Sequence, residues 1–369
     1  MKTSISRLTR YAPALSAFVL ALLVVFWIGS GASVGTGVAQ AKVIPETVGA
    51  ENEPPGFDRA NASVRAVMAV QDRHTPDLMA QHGVVGTGTG LTADGRPAIF
   101  VFAKSFELAR AAAIPSDIEG VPVVVTITGD IRALKPPAGK VPREQVDPTA
   151  WFPRPVPIGV STGHPDITAG TIGCRVTDGT NVYALSNNHI YANENKAGFG
   201  DGALQPGPYD GGVGPADAIG TLDDFEPLDF SGGYNYIDAA IALSSTGRLG
   251  NATPSDGYGR PKSAVVEPSI GQGVMKYGRT TSLTKGKVYA IHATVSVGYD
   301  SGTALFVDQI IITPGSFSGG GDSGSLVVVQ KGANARKPVG LLFAGSPVVT
   351  IANPIGAVLE SFGVTIDGD

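Results

Sequence analysis

The stretch SGGGDSGSLVVV, residues 318–329, sets a hydroxyl and an acid inside a glycine-rich bend that runs straight into a strand. Such a bend can aim several backbone N–H groups into one small space, where they would hold a developing oxyanion. Ser323 is therefore a candidate nucleophile, with the N–H groups of Gly321 and Ser323 as candidate oxyanion donors. A serine in a glycine turn is more often a turn residue only. The assignment rests on whether the chain also supplies a base and a group that orients the base.

The chain has five histidines. His74 falls in a predicted helix, His82 just after it and His164 in a Pro/Gly loop, while His292 lies in the alternating run VYAIHATVSV, where a surface or satisfied core position is expected. His189 differs: in NVYALSNNHIYANEN an apolar strand ends in a polar bend, which places an imidazole at a strand terminus where a cleft can form. Asp238 stands out among the acids because apolar residues surround it in YNYIDAAIAL. A buried carboxylate must be paired to stay charged, and an imidazole N–H is a suitable partner; the alternative is an aspartate capping its own backbone. The three occur in the order His189, Asp238, Ser323, separated by 49 and 85 residues. The trypsin-type triad has the same order with separations of about 45 and 93, whereas the α/β-hydrolase and subtilisin orders do not fit.

The rest of the chain must position these groups. Hydrophobic residues make up 43% and charged residues 16% of 369, with 50 glycines and 27 prolines, which predicts a mostly β protein. Over 158–369 short apolar runs alternate with Gly, Asp and Asn turns, enough chain for two small barrels, and a helical period returns only in NPIGAVLESFG. Residues 57–134 predict a small α+β domain of their own: a helix over about 58–81 with Pro76 as an interruption, a hairpin around Asp94-Gly95, a short helix at SFELARAAA and a strand at VPVVVTI. Its GTGTG, 86–90, is followed by a strand rather than a helix N-terminus, so close packing is expected there and not a phosphate loop. Pro-rich linkers are expected at 42–56 and 135–157.

Lys2, Arg7 and Arg10 precede an apolar stretch, and AQA ends at residue 41, so 1–41 is expected to be a signal peptide or an N-terminal membrane anchor of an exported protein. Membrane contact is expected only if that segment stays uncleaved. Cys174 is the sole cysteine, which excludes an internal disulfide and suits a small core residue. A net charge of −5 provides no basic field for nucleic acid. The acidic run in LDDFEPLDF, 222–230, lacks a metal-ligand spacing and is expected to be a solvated loop. No metal and no cofactor are expected.

The chain resembles the trypsin-like serine proteases, and more narrowly the bacterial proteins of that type related to the plant narrow-leaf protein family. ALSNNHIYA, IDAAIAL, KYGRTTSLTKGKV and FVDQIIITPGSFSGGGDSGSLVV carry the resemblance, with the closing GLLFAGS and IANPIGAVLESFGV. It implies a chymotrypsin-like double antiparallel β-barrel over 158–369 with the triad in the cleft between barrels. It implies Ser323 as nucleophile, His189 as general base and then acid, Asp238 as the group holding the imidazole, and Gly321 with Ser323 as oxyanion donors. Phe317, six residues before the serine, and Phe343 and Gly345 would then belong to the substrate pocket, so no selectivity for Lys or Arg is implied. The implied function is an exported serine endopeptidase acting on protein or peptide. The alternative is a silent or latent module used for binding. Asp322 in many relatives pairs with a newly released N-terminus, yet no Ile-Val-Gly-Gly start occurs here. Residues 58–130 lie outside the resemblance; a prosegment blocking the cleft, a folding aid and a substrate-recruiting domain all remain open for them.

Overall fold

Six strands of the C-terminal half close on themselves. Antiparallel pairing runs from Ser282–Gly298 through Gly273–Gly278, Leu326–Val329, Pro338–Gly345, Thr350–Pro354 and Thr303–Thr313, and the last pairs back with the first. Closure leaves no edge along most of this barrel, and Val274, Val288, Ile310, Ile312, Val327 and Leu342 fill a cluster within it. The computed structural model describes residues 39, 41–42, 56–134, 136 and 146–369.

A second antiparallel sheet of six strands orders Gly202–Leu204, Ala218–Phe225, Ala240–Ser244, Val182–Ser186, Cys174–Thr177 and Thr365–Ile366. Its core holds Cys174, Leu185, Ile219 and Ile241 and also takes in Leu326, Val328 and Leu341 from the closed barrel, so the two units share one apolar boundary. The helix Ile355–Phe362 covers this boundary with Ile355, Val358 and Leu359 buried. The fold is mostly β, as composition predicts.

The α+β segment contains the expected elements. Its helix, Ala62–Met79, starts later than expected because the Asn61 side chain accepts from the Ser63 and Val64 N–H groups, and it continues through Pro76. Strands Val84–Leu91 and Pro97–Ala103 form the expected hairpin, joined by Val121–Ile127. This layer is hydrogen-bonded to the closed barrel: Val84–Leu91 pairs antiparallel with Ser282–Gly298, Gly90 opposite Ala290 and Gly86 opposite Val295. The glycine row serves close packing here, since a Cβ on Gly86 would lie 2.8 Å from the Thr294 carbonyl oxygen. Beyond the layer, Arg132–Ala133 forms a short strand on the barrel.

Two local expectations need correction. Residues 146–157, expected as linker, pack on the six-stranded sheet: Val156 is fully buried, and the Arg154 guanidinium donates to the Gln205 and Asp217 carbonyls. The acidic run begins inside the strand Ala218–Phe225, not in a loop, with Leu222 buried while Asp223 and Asp224 are exposed. Ala41 and Lys42, where the export segment was expected to end, pair in parallel with Val125 and Thr126. The rest of 1–38 and most of both expected linkers lie outside the described residues. Among the described residues no helix is long and apolar enough to cross a membrane.

One buried ion pair ties the closed barrel to the six-stranded sheet. Arg279, at the turn after Gly273–Gly278, meets Asp210 from the segment between Gly202–Leu204 and Ala218–Phe225, with Nε 2.8 Å from Oδ2, and both side chains are almost wholly buried. Removing one partner strands the other charge. Arg279→Met is expected to lower stability by about 3–5 kcal/mol, measured by urea unfolding, and adding Asp210→Asn should recover part of the loss.

Candidate active site

Asp238 lies just before the strand Ala240–Ser244 and has no exposed surface. Its backbone is fixed on both sides: the N–H donates to Asn353 Oδ1 at 3.1 Å, and the carbonyl accepts from Asn187 Nδ2 at 2.7 Å. The carboxylate points at His189, which sits in the one-turn helix Asn188–Tyr191 immediately after the strand Val182–Ser186. Oδ1 accepts from the His189 backbone N–H at 3.2 Å, and Oδ2 lies 2.5 Å from Nδ1. With Asp238 ionised, Nδ1 carries the proton and Nε2 is left as the acceptor nitrogen. Nε2 is buried and makes no hydrogen bond.

Tyr299 completes the carboxylate shell. Its hydroxyl donates to Asp238 Oδ2 at 2.8 Å, and its ring meets the imidazole edge-on at 5.8 Å. Burial, with the Asp238 charge beside it, pushes the phenol well above its ordinary range and keeps it a donor. Sequence reasoning missed this residue, because a tyrosine at the tip of the hairpin 282–313 carries no local sign of a buried partner.

Ser323 lies in the bend between the short turn Gly315–Phe317 and the strand Leu326–Val329. Gly321 and Gly324 hold φ of 95° and 93°, and a Cβ on Gly324 would lie 2.2 Å from the Thr171 carbonyl oxygen, so both positions demand glycine. A short two-stranded ladder, Ser161–Thr162 with Gly170–Thr171, grips the bend through Thr171, whose N–H donates to the Ser323 carbonyl and whose hydroxyl donates to the Gly321 carbonyl. The Ser323 hydroxyl donates to the Phe343 carbonyl at 3.3 Å, and the side chain is fully buried. The structure thus joins His189 to Asp238 by a hydrogen bond but forms none between His189 and Ser323. The Gly321 N–H donates to the carbonyl of Leu134 at 3.1 Å.

Asp322 has an internal partner. Its carboxylate lies 3.3 Å from Lys276 Nζ, and neither side chain has exposed surface. Oδ1 accepts from the Thr280 N–H at 2.7 Å; Oδ2 accepts from Thr281 Oγ1 at 2.6 Å and the Gly319 N–H at 2.9 Å. Burial alone would push this carboxyl up, but Lys276 and these donors outweigh it and hold it below its ordinary range. The motif KYGRTT supplies both the ammonium and the threonines. Ser325 donates to the Asp322 carbonyl at 2.6 Å.

The three residues expected in the pocket are placed differently from one another. Phe317 is wholly buried beneath the bend, its ring 5.9 Å from Lys276 Nζ. Phe343 packs its ring on Phe306 at 4.7 Å and offers only its carbonyl to Ser323. Gly345 ends the strand Pro338–Gly345 and faces Leu134. A cleft of about 470 Å³ beside the site is lined by His189, Ile190, Tyr299, Ile167 and Leu134 among others. The other histidines take other partners: His164 bonds Asp201, and His292 is held between Asp72 and Asp308.

Two six-stranded antiparallel units, with the histidine and aspartate on one and the serine bend on the other, define a trypsin-like fold. A family model described as the Nal1 C-terminal domain matches residues 227–361. No curated protein matches the chain. Among solved structures, a glutamic acid specific serine protease described as using a histidine triad in substrate binding is 21% identical at TM-score 0.42, covering 57% of this chain and 100% of that one. Protease A of Thermobifida fusca is 16% identical at TM-score 0.42 and covers 58% and 98%; a chymotrypsin of Cellulomonas bogoriensis is 20% identical at 0.40 and covers 58% and 99%.

The Lys276–Asp322 pair makes a pH prediction. A carboxyl whose folded pKa is depressed adds stability that is present above its unfolded value, near pH 4, and lost as pH falls through the folded value. In Lys276→Met the attraction is gone, burial dominates and the Asp322 pKa rises. The acid limb of the stability curve should shift to higher pH, with a loss of about 3–5 kcal/mol near neutrality. Thermal melts from about pH 3 to pH 7 check this; an unmoved acid limb would show that Lys276 does not neutralise Asp322.

Proposed function

We propose that this chain is an exported serine endopeptidase that cleaves protein or peptide substrates through an acyl-enzyme. The observation that carries the reading is the wholly buried Asp238 holding His189 Nδ1, which leaves a basic Nε2 with no competing partner. In this scheme Ser323 Oγ attacks the substrate carbonyl carbon as its proton passes to Nε2. The Gly321 and Ser323 N–H groups receive the oxyanion. The imidazolium then protonates the departing amine, and water, activated by the same nitrogen, hydrolyses the ester. Asp238 stays ionised throughout and stabilises the imidazolium. Tyr299 supports that charge, because its hydroxyl is the side-chain donor that fixes Oδ2 opposite the ring.

The second reading, a latent module, draws on Ser323 having no exposed surface and bonding Phe343 instead of His189. A fluorophosphonate probe separates the two. Wild-type chain should be labelled at Ser323 and Ser323→Ala should not. Because Leu134 occupies the Gly321 N–H, the measurement includes Leu134→Asp, and absence of labelling in both it and wild type would defeat the peptidase reading. Tyr299→Phe should slow labelling about 10–100-fold, the value of one hydrogen bond to a charged group, about 1.5–3 kcal/mol.

A further inference from the structure

We propose that the chain is its own substrate: Ser323 cuts the peptide bond after Leu134, and Arg132–Leu134 occupies the acyl half of the cleft before and after the cut. This rests on the peptidase reading of the same site. Arg132 and Ala133 add as an antiparallel strand to the end of Pro338–Gly345, with Arg132 opposite Gly345 and Ala133 opposite Ala344. On its other side the segment meets the long barrel strand, where the Gly298 N–H donates to the Ile131 carbonyl at 3.0 Å. Strand addition of this kind is how an extended peptide is held by its main chain while alternate side chains enter pockets.

The register identifies the reacting carbonyl. Continued by one residue, it sets Leu134 opposite Phe343, whose carbonyl holds the Ser323 hydroxyl. The Leu134 carbonyl oxygen accepts from the Gly321 N–H at 3.1 Å, the backbone donor assigned to the oxyanion. The Leu134 side chain packs against the cluster containing Phe317 and Leu342. Gly345 leaves it room, since a Cβ there would lie 3.2 Å from Leu134 Cδ1. The pocket therefore takes a leucine-sized apolar side chain, and Leu134 and His189 line the same cleft.

For the cut the Ser323 hydroxyl leaves the Phe343 carbonyl and donates to His189 Nε2, which has no partner among the described residues. The Oγ–C bond to Leu134 then forms as Nε2 takes the hydroxyl proton. The C–N bond to Lys135 breaks with that proton moving to the Lys135 amine. Water adds to the ester, giving its proton to Nε2 and returning it to Oγ, and leaves Leu134 as a carboxylate. Water is the one co-reactant consumed, and no oxidant or metal takes part.

The test follows purified full-length protein over time by denaturing electrophoresis, intact mass and N-terminal sequencing. Wild type should yield a fragment starting at Lys135, at a rate unchanged by tenfold dilution, with the pieces co-eluting under native conditions. Ser323→Ala and Leu134→Asp should stay single chains, and Leu134→Met, close in volume, should still be cut. If wild type remains one chain while Ser323 reacts with the fluorophosphonate, this inference falls and the peptidase reading stands. Cutting at the same bond in Ser323→Ala assigns the cut to another protease and also overturns the inference. No cut and no reactive Ser323 in any variant removes both.

Discussion

A carboxylate with no exposed surface is tolerable only if an opposite charge and several donors meet it, and the shape of the serine bend depends on how Asp322 meets that condition. Lys276 reaches it from the neighbouring strand Gly273–Gly278, and the Thr280, Thr281 and Gly319 donors close around it. The same ammonium binds Thr281 and the Ser282 carbonyl, so one charge fixes both the turn after its own strand and the bend opposite. The pair lies entirely within one barrel. A free N-terminus is therefore not needed to neutralise Asp322, which accounts for the missing Ile-Val-Gly-Gly start.

The imidazole of His189 is fixed by a different logic. His189 and Asp238 belong to the six-stranded sheet unit, yet Tyr299 from the long hairpin and Asn353 from Thr350–Pro354, both of the closed barrel, help fix Asp238. Thr171 reverses the traffic, reaching from the two-stranded ladder before Cys174–Thr177 to hold the Ser323 and Gly321 carbonyls. Each half of the site is therefore held in part by residues outside its own sheet. The Arg279–Asp210 pair beneath them makes docking of the two an electrostatic requirement as well as an apolar one.

What was legible in the chain follows the range of the signal. His189 at a strand end, Asp238 among apolar residues and the glycine bend at Ser323 are local patterns, so residue type and neighbours sufficed to single them out. Lys276 and Tyr299 were not legible, because each resembles an ordinary strand or hairpin residue until Asp322 or Asp238 is brought to it by pairing across the sheet. The elements of 57–134 were visible in their periodicity, but their attachment to Ser282–Gly298 is a long-range pairing; only the glycine row of Val84–Leu91 hinted at a close backbone neighbour. The prolines of 146–157 suggested a linker, although a proline-rich stretch can equally lie flat on a barrel when Arg154 and Val156 anchor it.

The attachment of the N-terminal layer also bears on how the cleft is filled. Ile131, buried among Phe343, Phe306 and Leu228, anchors the segment just before it enters the cleft, and the hairpin 84–103 anchors the layer behind it. A strand tethered so closely faces its site at a high effective concentration, on the order of millimolar or more for a short tether. Weak main-chain pairing at Arg132 and Ala133 and one apolar side chain are then enough to keep the site occupied. Because the tether runs toward the N-terminus, breaking the bond beyond Leu134 does not lower that concentration. Any other peptide entering the cleft must displace a strand that the barrel itself holds.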